Sequence, residues 1–164
     1  MDARPDSSSH HMIDLAIIKA RQRLGTKAKI FIMLPPLIYG ATQHGRLSIH
    51  IITIARFAIK HKYAGYWSKI ATFIGKDLHA AGMIPDSTPR EIPQNEYDDL
   101  FGEDSLVVIG QNSRNRADRL RDLGWRPKEV GVHEAFTKEE LPILLRETGE
   151  FKGMPELRLR GVVR

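Results

Sequence analysis

The 164-residue sequence has no cysteine, which excludes disulfides and thiolate metal ligands. It also has no apolar run near the roughly 18 residues of a membrane span. Its opening, MDARPDSSSHHM, carries no hydrophobic signal core. We see no internal repeat and no low-complexity block. These absences lead us to expect a cytoplasmic protein in a reducing compartment. What is present is enough for a folded core: 41% of residues are hydrophobic, and the length suggests about one domain.

The formal charge is +5. Arginines gather in the final third, at Arg114, Arg116, Arg119, Arg121, Arg126, Arg158, Arg160 and Arg164. Such a run suits a phosphate-binding face. Asp118, Asp122, Glu129 and Glu134 lie among these arginines, which instead favours a mixed, solvated surface.

Along the chain, residues 13–24 (IDLAIIKARQRL) follow helical spacing, with serines 7–9 as N-caps and Gly25 as the stop. Residues 29–34 (KIFIML) run apolar without alternation, as a strand covered on both faces does. Pro35 and Pro36 have no N–H to donate, so ladder pairing must end there. Residues 47–60 are apolar nearly all round, and their length favours a buried helix with Ser48 as its N-cap. Residues 67–81 read as an amphipathic helix closed by Gly82. Residues 84–93 read as a loop, 95–101 as a short acidic helix and 105–109 (SLVVI) as a short strand. A helix capped by Ser113 runs to about Leu123, and Trp125 should close that end onto the core. Thr137 and Glu140 match a capping box opening the last helix. One strand and one short strand do not make a sheet. Either the chain is mainly helical or it belongs to something larger.

The strand followed by Pro35-Pro36-Leu37-Ile38-Tyr39-Gly40, a loop and a buried helix resembles the extended short-chain dehydrogenase/reductases of the NAD-dependent epimerase and dehydratase type. In these a strand ends in P-x-x-I/V-Y-G. The run from Ile109 (IGQNSR) through Leu123-Gly-Trp-Arg-Pro127 looks like a late segment of that family, in its fungal-type branch, and the helix at 13–25 looks like the one preceding the motif. The likeness covers roughly residues 10–130. It implies an α/β fold, a partial Rossmann-like C-terminal half that is mostly helical with one buried strand and one short strand. It also implies NAD(P) as cofactor and a small-molecule substrate. The backbone of Pro35, Pro36, Leu37 and Ile38 would face the cofactor carboxamide, and Tyr39 and Gly40 the substrate. Ligands of open α/β sheets sit outside the carboxyl ends of strands, and a glycine there lets backbone come close. Arg114 or Arg116 would grip an anionic part of the substrate, since arginine's planar fork matches phosphate.

The sequence departs from this family in ways that bear on chemistry. The G-x-x-G-x-x-G loop that seats the pyrophosphate is absent. So is the Tyr-x-x-x-Lys pair, in which the lysine lowers the tyrosine's pKa for acid–base work. Tyr66-Trp-Ser-Lys69 has the wrong spacing. The family's His/Asp-bearing segment between the equivalents of Tyr66 and Trp67 is missing as well. The resemblance is therefore to the C-terminal part of a reductase with an internal deletion, and we expect no catalysis by this chain alone.

Other patterns weigh less. Residues 40–47 have phosphate-loop spacing, but Arg46 and Leu47 stand where Lys and Ser/Thr are required. His50 and His61 share a helix face about 16 Å apart, too far for one metal. The acidic cluster Asp98, Asp99, Glu103, Asp104 fails the calcium-loop pattern. No metal site is expected. The organisation expected is a flexible N-terminus at 1–12, the reductase-like region at 13–148 and a basic tail at 149–164. The alternative function is a small basic module that binds nucleic acid or another polyanion through residues 114–126. Self-association through an unpaired strand edge would follow from the lone strand.

Overall fold

The computed structural model describes residues 11–27, 37–66, 69–109 and 117–151. The chain divides into two compact units, Met1–Pro36 and Leu37–Arg164. In the first, helix α1 (His11–Leu24) forms where expected and ends at Gly25, whose φ of +52° runs into a short 3-10 turn, although Ile13 and Leu24 of its apolar face are exposed. The anticipated strand at 29–34, with Pro35 and Pro36, lies outside the described residues.

The second unit is helical. α2 (His50–His61) and α3 (Lys69–Ala80) pack against each other and against a C-terminal run. That run is α6 (Val132–Ala135), a π segment (Phe136–Glu140) and α7 (Leu141–Leu144), without interruption. α2 is apolar all round because it serves two clusters. Ile51, Ile54, Ala55 and Ala58 meet Ile74, Leu78, Phe136, Leu141 and Leu144 in the larger one. Phe57 meets Ile92, Leu100 and Phe101 in the smaller. α3 ends as its sequence requires. Gly82 takes φ +72°, its amide donates to the His79 carbonyl, and the Met83 amide donates to that of Leu78.

The α/β, Rossmann-like fold is overturned. Among the described residues there is no strand, only an isolated parallel bridge between Gly65 and Arg90. Residues 105–109, expected as a strand, form helix α4 (Ser105–Ile109). The Ser105 hydroxyl accepts the Phe101 amide at 3.1 Å and donates to the Tyr97 carbonyl at 3.2 Å. The segment thus continues out of the 3-10 turn Gly102–Asp104, and among the described residues no strand neighbours it for its β-branched residues to pair with.

Further local corrections follow. Ser48 is not the cap of α2; Ile49 holds that position and no side chain caps it. Thr137 and Glu140 do not open a helix but sit inside one that begins after Gly131. Trp125 closes nothing onto the core and is 46% exposed. Only its backbone ends α5 (Asp118–Asp122), donating to the Leu120 carbonyl at 2.9 Å. Among the described residues no helix is long and apolar enough to cross a membrane.

Candidate functional site

Of the eight residues the sequence singles out, Pro35, Pro36, Arg114 and Arg116 lie outside the described residues. The other four form one turn. Leu37 packs on the larger core, while Ile38 is 69% exposed. The Tyr39 hydroxyl donates to the Val130 carbonyl at 3.1 Å. Gly40 has φ +94°, and a Cβ there would meet a Glu139 carboxylate oxygen at 3.3 Å. The same oxygen accepts the Ala41 amide at 3.2 Å. The turn is therefore held by residues about ninety positions downstream: the Tyr39 hydroxyl, expected on the substrate side, already has a partner within the protein, and Glu139 stands against Gly40 and binds the next amide.

The π segment brings Glu139 to the turn because Pro142 follows it. In a regular α-helix the Pro142 ring would clash with the carbonyl of Lys138, and no N–H would replace the lost bond. Widening the turn by one residue relieves that clash. It also resets the register, so that Phe136 and Leu141, five apart, both reach the core. Glu140 thereby turns inward. It is fully buried, and its Oε1 accepts the Ser48 amide at 2.9 Å. On the same run Thr137 donates to Asp77 at 2.7 Å, and His133 Nε2 stands 3.2 Å from Asp77, with its ring stacked on Phe73.

Two cavities flank the paired Arg56 and Glu147, whose guanidinium and carboxylate meet through two contacts. The first, about 290 Å³, is lined by residues 45–49 and Ile143 among others. The second, about 260 Å³, is lined by Ile59, Met83, Leu144 and Phe151 among others. Neither is lined by Tyr39 or Gly40.

A third group gathers at the C-terminal end of α2. Lys60 donates to Asp99 at 2.7 Å, and His61 Nε2 stands 2.9 Å from the other oxygen of Asp99. His61 Nδ1 faces Glu96 at 3.4 Å, and the Tyr63 hydroxyl donates to that same Glu96 oxygen at 2.5 Å. Arg90 lies over the Tyr63 ring. Burial raises the Tyr63 pKa above its ordinary value, and the hydrogen bond to Glu96 and its charge push the same way, against Arg90. Partial burial pushes Asp99 upward too, but the hydrogen bonds and charges of Lys60 and His61 outweigh it, so its pKa falls below the ordinary carboxylate value.

A carboxylate with a depressed folded pKa contributes stability above its unfolded value, near 4, and loses that contribution as pH falls through its folded value. We expect Asp99→Asn to flatten the acid limb of a melting-temperature profile below about pH 4. An unchanged acid limb would remove Asp99 from the acid response.

Among the described residues, no group of three or more histidines and carboxylates could hold a metal ion. Two arginines of the basic segment are engaged locally. Arg121 pairs with Asp118 at 3.8 Å, and Arg126 donates to the Arg121 and Trp125 carbonyls. Sequence reasoning missed Glu139 and Glu140, which it read as part of a helix start, and His61, which it tested only as a metal ligand.

No family model matches the chain, and no curated protein or solved structure matches it either.

Proposed function

We propose that this chain is the C-terminal part of an NAD(P)-dependent oxidoreductase- or epimerase-like protein and that it transfers no hydride on its own. The observation that carries this reading is the Leu37–Ala41 turn. It keeps a glycine with positive φ at Gly40, but Glu139 stands against the space a ligand would use, and the Tyr39 hydroxyl is held by a backbone carbonyl rather than aimed at a reacting group. Tyr63 supports the same reading. Its pKa is raised, and a tyrosine that exchanges protons near neutrality needs the opposite shift. A chain without cysteine suits the cytoplasm. The polyanion alternative is less well supported, because Arg121 and Arg126 are tied to Asp118 and to backbone.

The test is to incubate the purified protein with NADH or NADPH and a panel of carbonyl compounds while following nicotinamide absorbance. No oxidation is expected, and turnover that tracks the protein through purification would refute the reading. Excess NAD⁺ should perturb the amide resonances of residues 37–40. If it leaves them unmoved, the cofactor part of the proposal fails.

A further inference from the structure

The loop from Ala41 to Ser48 is fastened at its two ends, with Leu47 beside the second also packing on the larger core, and residues 42–46 bond among themselves. Inside it, the Thr42 amide donates to the Arg46 carbonyl at 2.9 Å, the Gly45 amide to the Thr42 carbonyl at 2.8 Å, and the Arg46 amide to the Thr42 hydroxyl at 3.1 Å. Residues 42–46 are all exposed, so the middle of the loop holds its shape without being anchored by burial. Its ends are held by consecutive side chains of the π segment. Glu139 accepts the Ala41 amide and Glu140 accepts the Ser48 amide.

The second fastening is a costly one. Glu140 is fully buried, and its other carboxylate oxygen has no hydrogen-bond partner in the protein; nor do the buried hydroxyls of Ser48 and Thr53. A carboxylate withdrawn from water with one oxygen unsatisfied is a strong penalty on the closed arrangement. Lifting the loop would hydrate that oxygen at the loss of two amide hydrogen bonds. Gly45, Arg46, Leu47 and Ser48 of the loop also line the cavity of about 290 Å³ beside Arg56.

We propose that residues 41–48 form a strap that opens as one unit. Release of Glu139 and Glu140, with withdrawal of Leu47 from the core, frees the loop, and its opening widens the cavity beside Arg56. This coupling is independent of whether the chain meets a nicotinamide cofactor.

Amide hydrogen exchange of the full chain tests it. After correction for intrinsic rates, the Ala41 and Ser48 amides are expected to exchange at matching rates, roughly tenfold or more faster than those of residues 54–58 inside α2. Glu140→Gln keeps an acceptor for the Ser48 amide and removes the buried charge. It should slow both loop amides relative to α2, by roughly fivefold or more. Loop amides as protected as those of α2 in the wild-type protein would overturn the proposal. So would a Glu140→Gln variant in which Ser48 slows and Ala41 does not, or in which neither slows.

Discussion

Phe57→Ala is expected to remove a large share of the stability of the Leu37–Arg164 unit. The ring is completely buried at the centre of the smaller cluster, among Ile92, Leu100 and Phe101. It also stacks on His61 at a centroid distance of 4.3 Å and meets Tyr63 edge-on at 5.6 Å. Truncating a buried phenylalanine costs about 3–5 kcal/mol, through lost transfer energy and the cavity left behind. A domain stable by only about 5–15 kcal/mol loses a large share of that. The effect should spread beyond the void itself. His61 and Tyr63 hold Glu96 and Asp99, and those carboxylates fasten the segment that carries Leu100 and Phe101 against α2. Thermal or denaturant unfolding checks this, with a melting temperature lower by roughly 10 °C. A loss under about 1 kcal/mol would mean that the smaller cluster collapses without cost, contrary to the packing described.

Gly75→Ala should also destabilise, against the direction that helix propensity gives. Gly75 lies within α3, where alanine is ordinarily better than glycine by about 1 kcal/mol. Here a Cβ would sit 2.5 Å from the Ser87 carbonyl oxygen and 3.0 Å from the Ala64 side chain. The nearer obstacle is backbone, so it cannot rotate aside. Either α3 or the loop through Ser87 must move, and overpacking of this kind costs about 1–3 kcal/mol. We therefore expect a net loss of up to about 2 kcal/mol in denaturant unfolding once the propensity gain is set against it. A stabilised Gly75→Ala variant would show that α3 and residues 84–90 do not approach each other as described.

The two elements most legible in the sequence were those whose signals are local. α2 announced itself through length and continuous apolarity, and α3 through its periodicity and the glycine that ends it. Residues 105–109 misled because β-branched composition says little without a partner strand, and the serine that opens the segment bonds to Tyr97 and Phe101 instead. The Thr137–Glu140 pattern misled for a related reason. Its spacing is that of a capping box, but the helix has already begun, and Pro142 widens it at that point so that Glu140 turns toward Ser48. At the candidate site, Leu37 to Gly40 was readable as a turn from its glycine and the prolines before it. What holds that turn was not, because Val130 and Glu139 lie ninety-one and ninety-eight positions from Tyr39 and Ala41, and no local pattern marks such pairs. The His61 cluster was hidden in the same way, since its carboxylates arrive from a 3-10 segment 35 or more residues later.

The central structural claim is that a helical run at the C-terminal side, and not a sheet, holds the Leu37–Ala41 turn. Nuclear Overhauser spectroscopy of the full chain tests it most directly. Contacts from the Tyr39 ring to Val130, and from the Ala41 amide to the Glu139 side chain, are expected, together with helical chemical shifts across residues 105–109. Cross-strand contacts from residues 37–41 or 105–109 to another extended segment, with no contact to Val130 or Glu139, would contradict it.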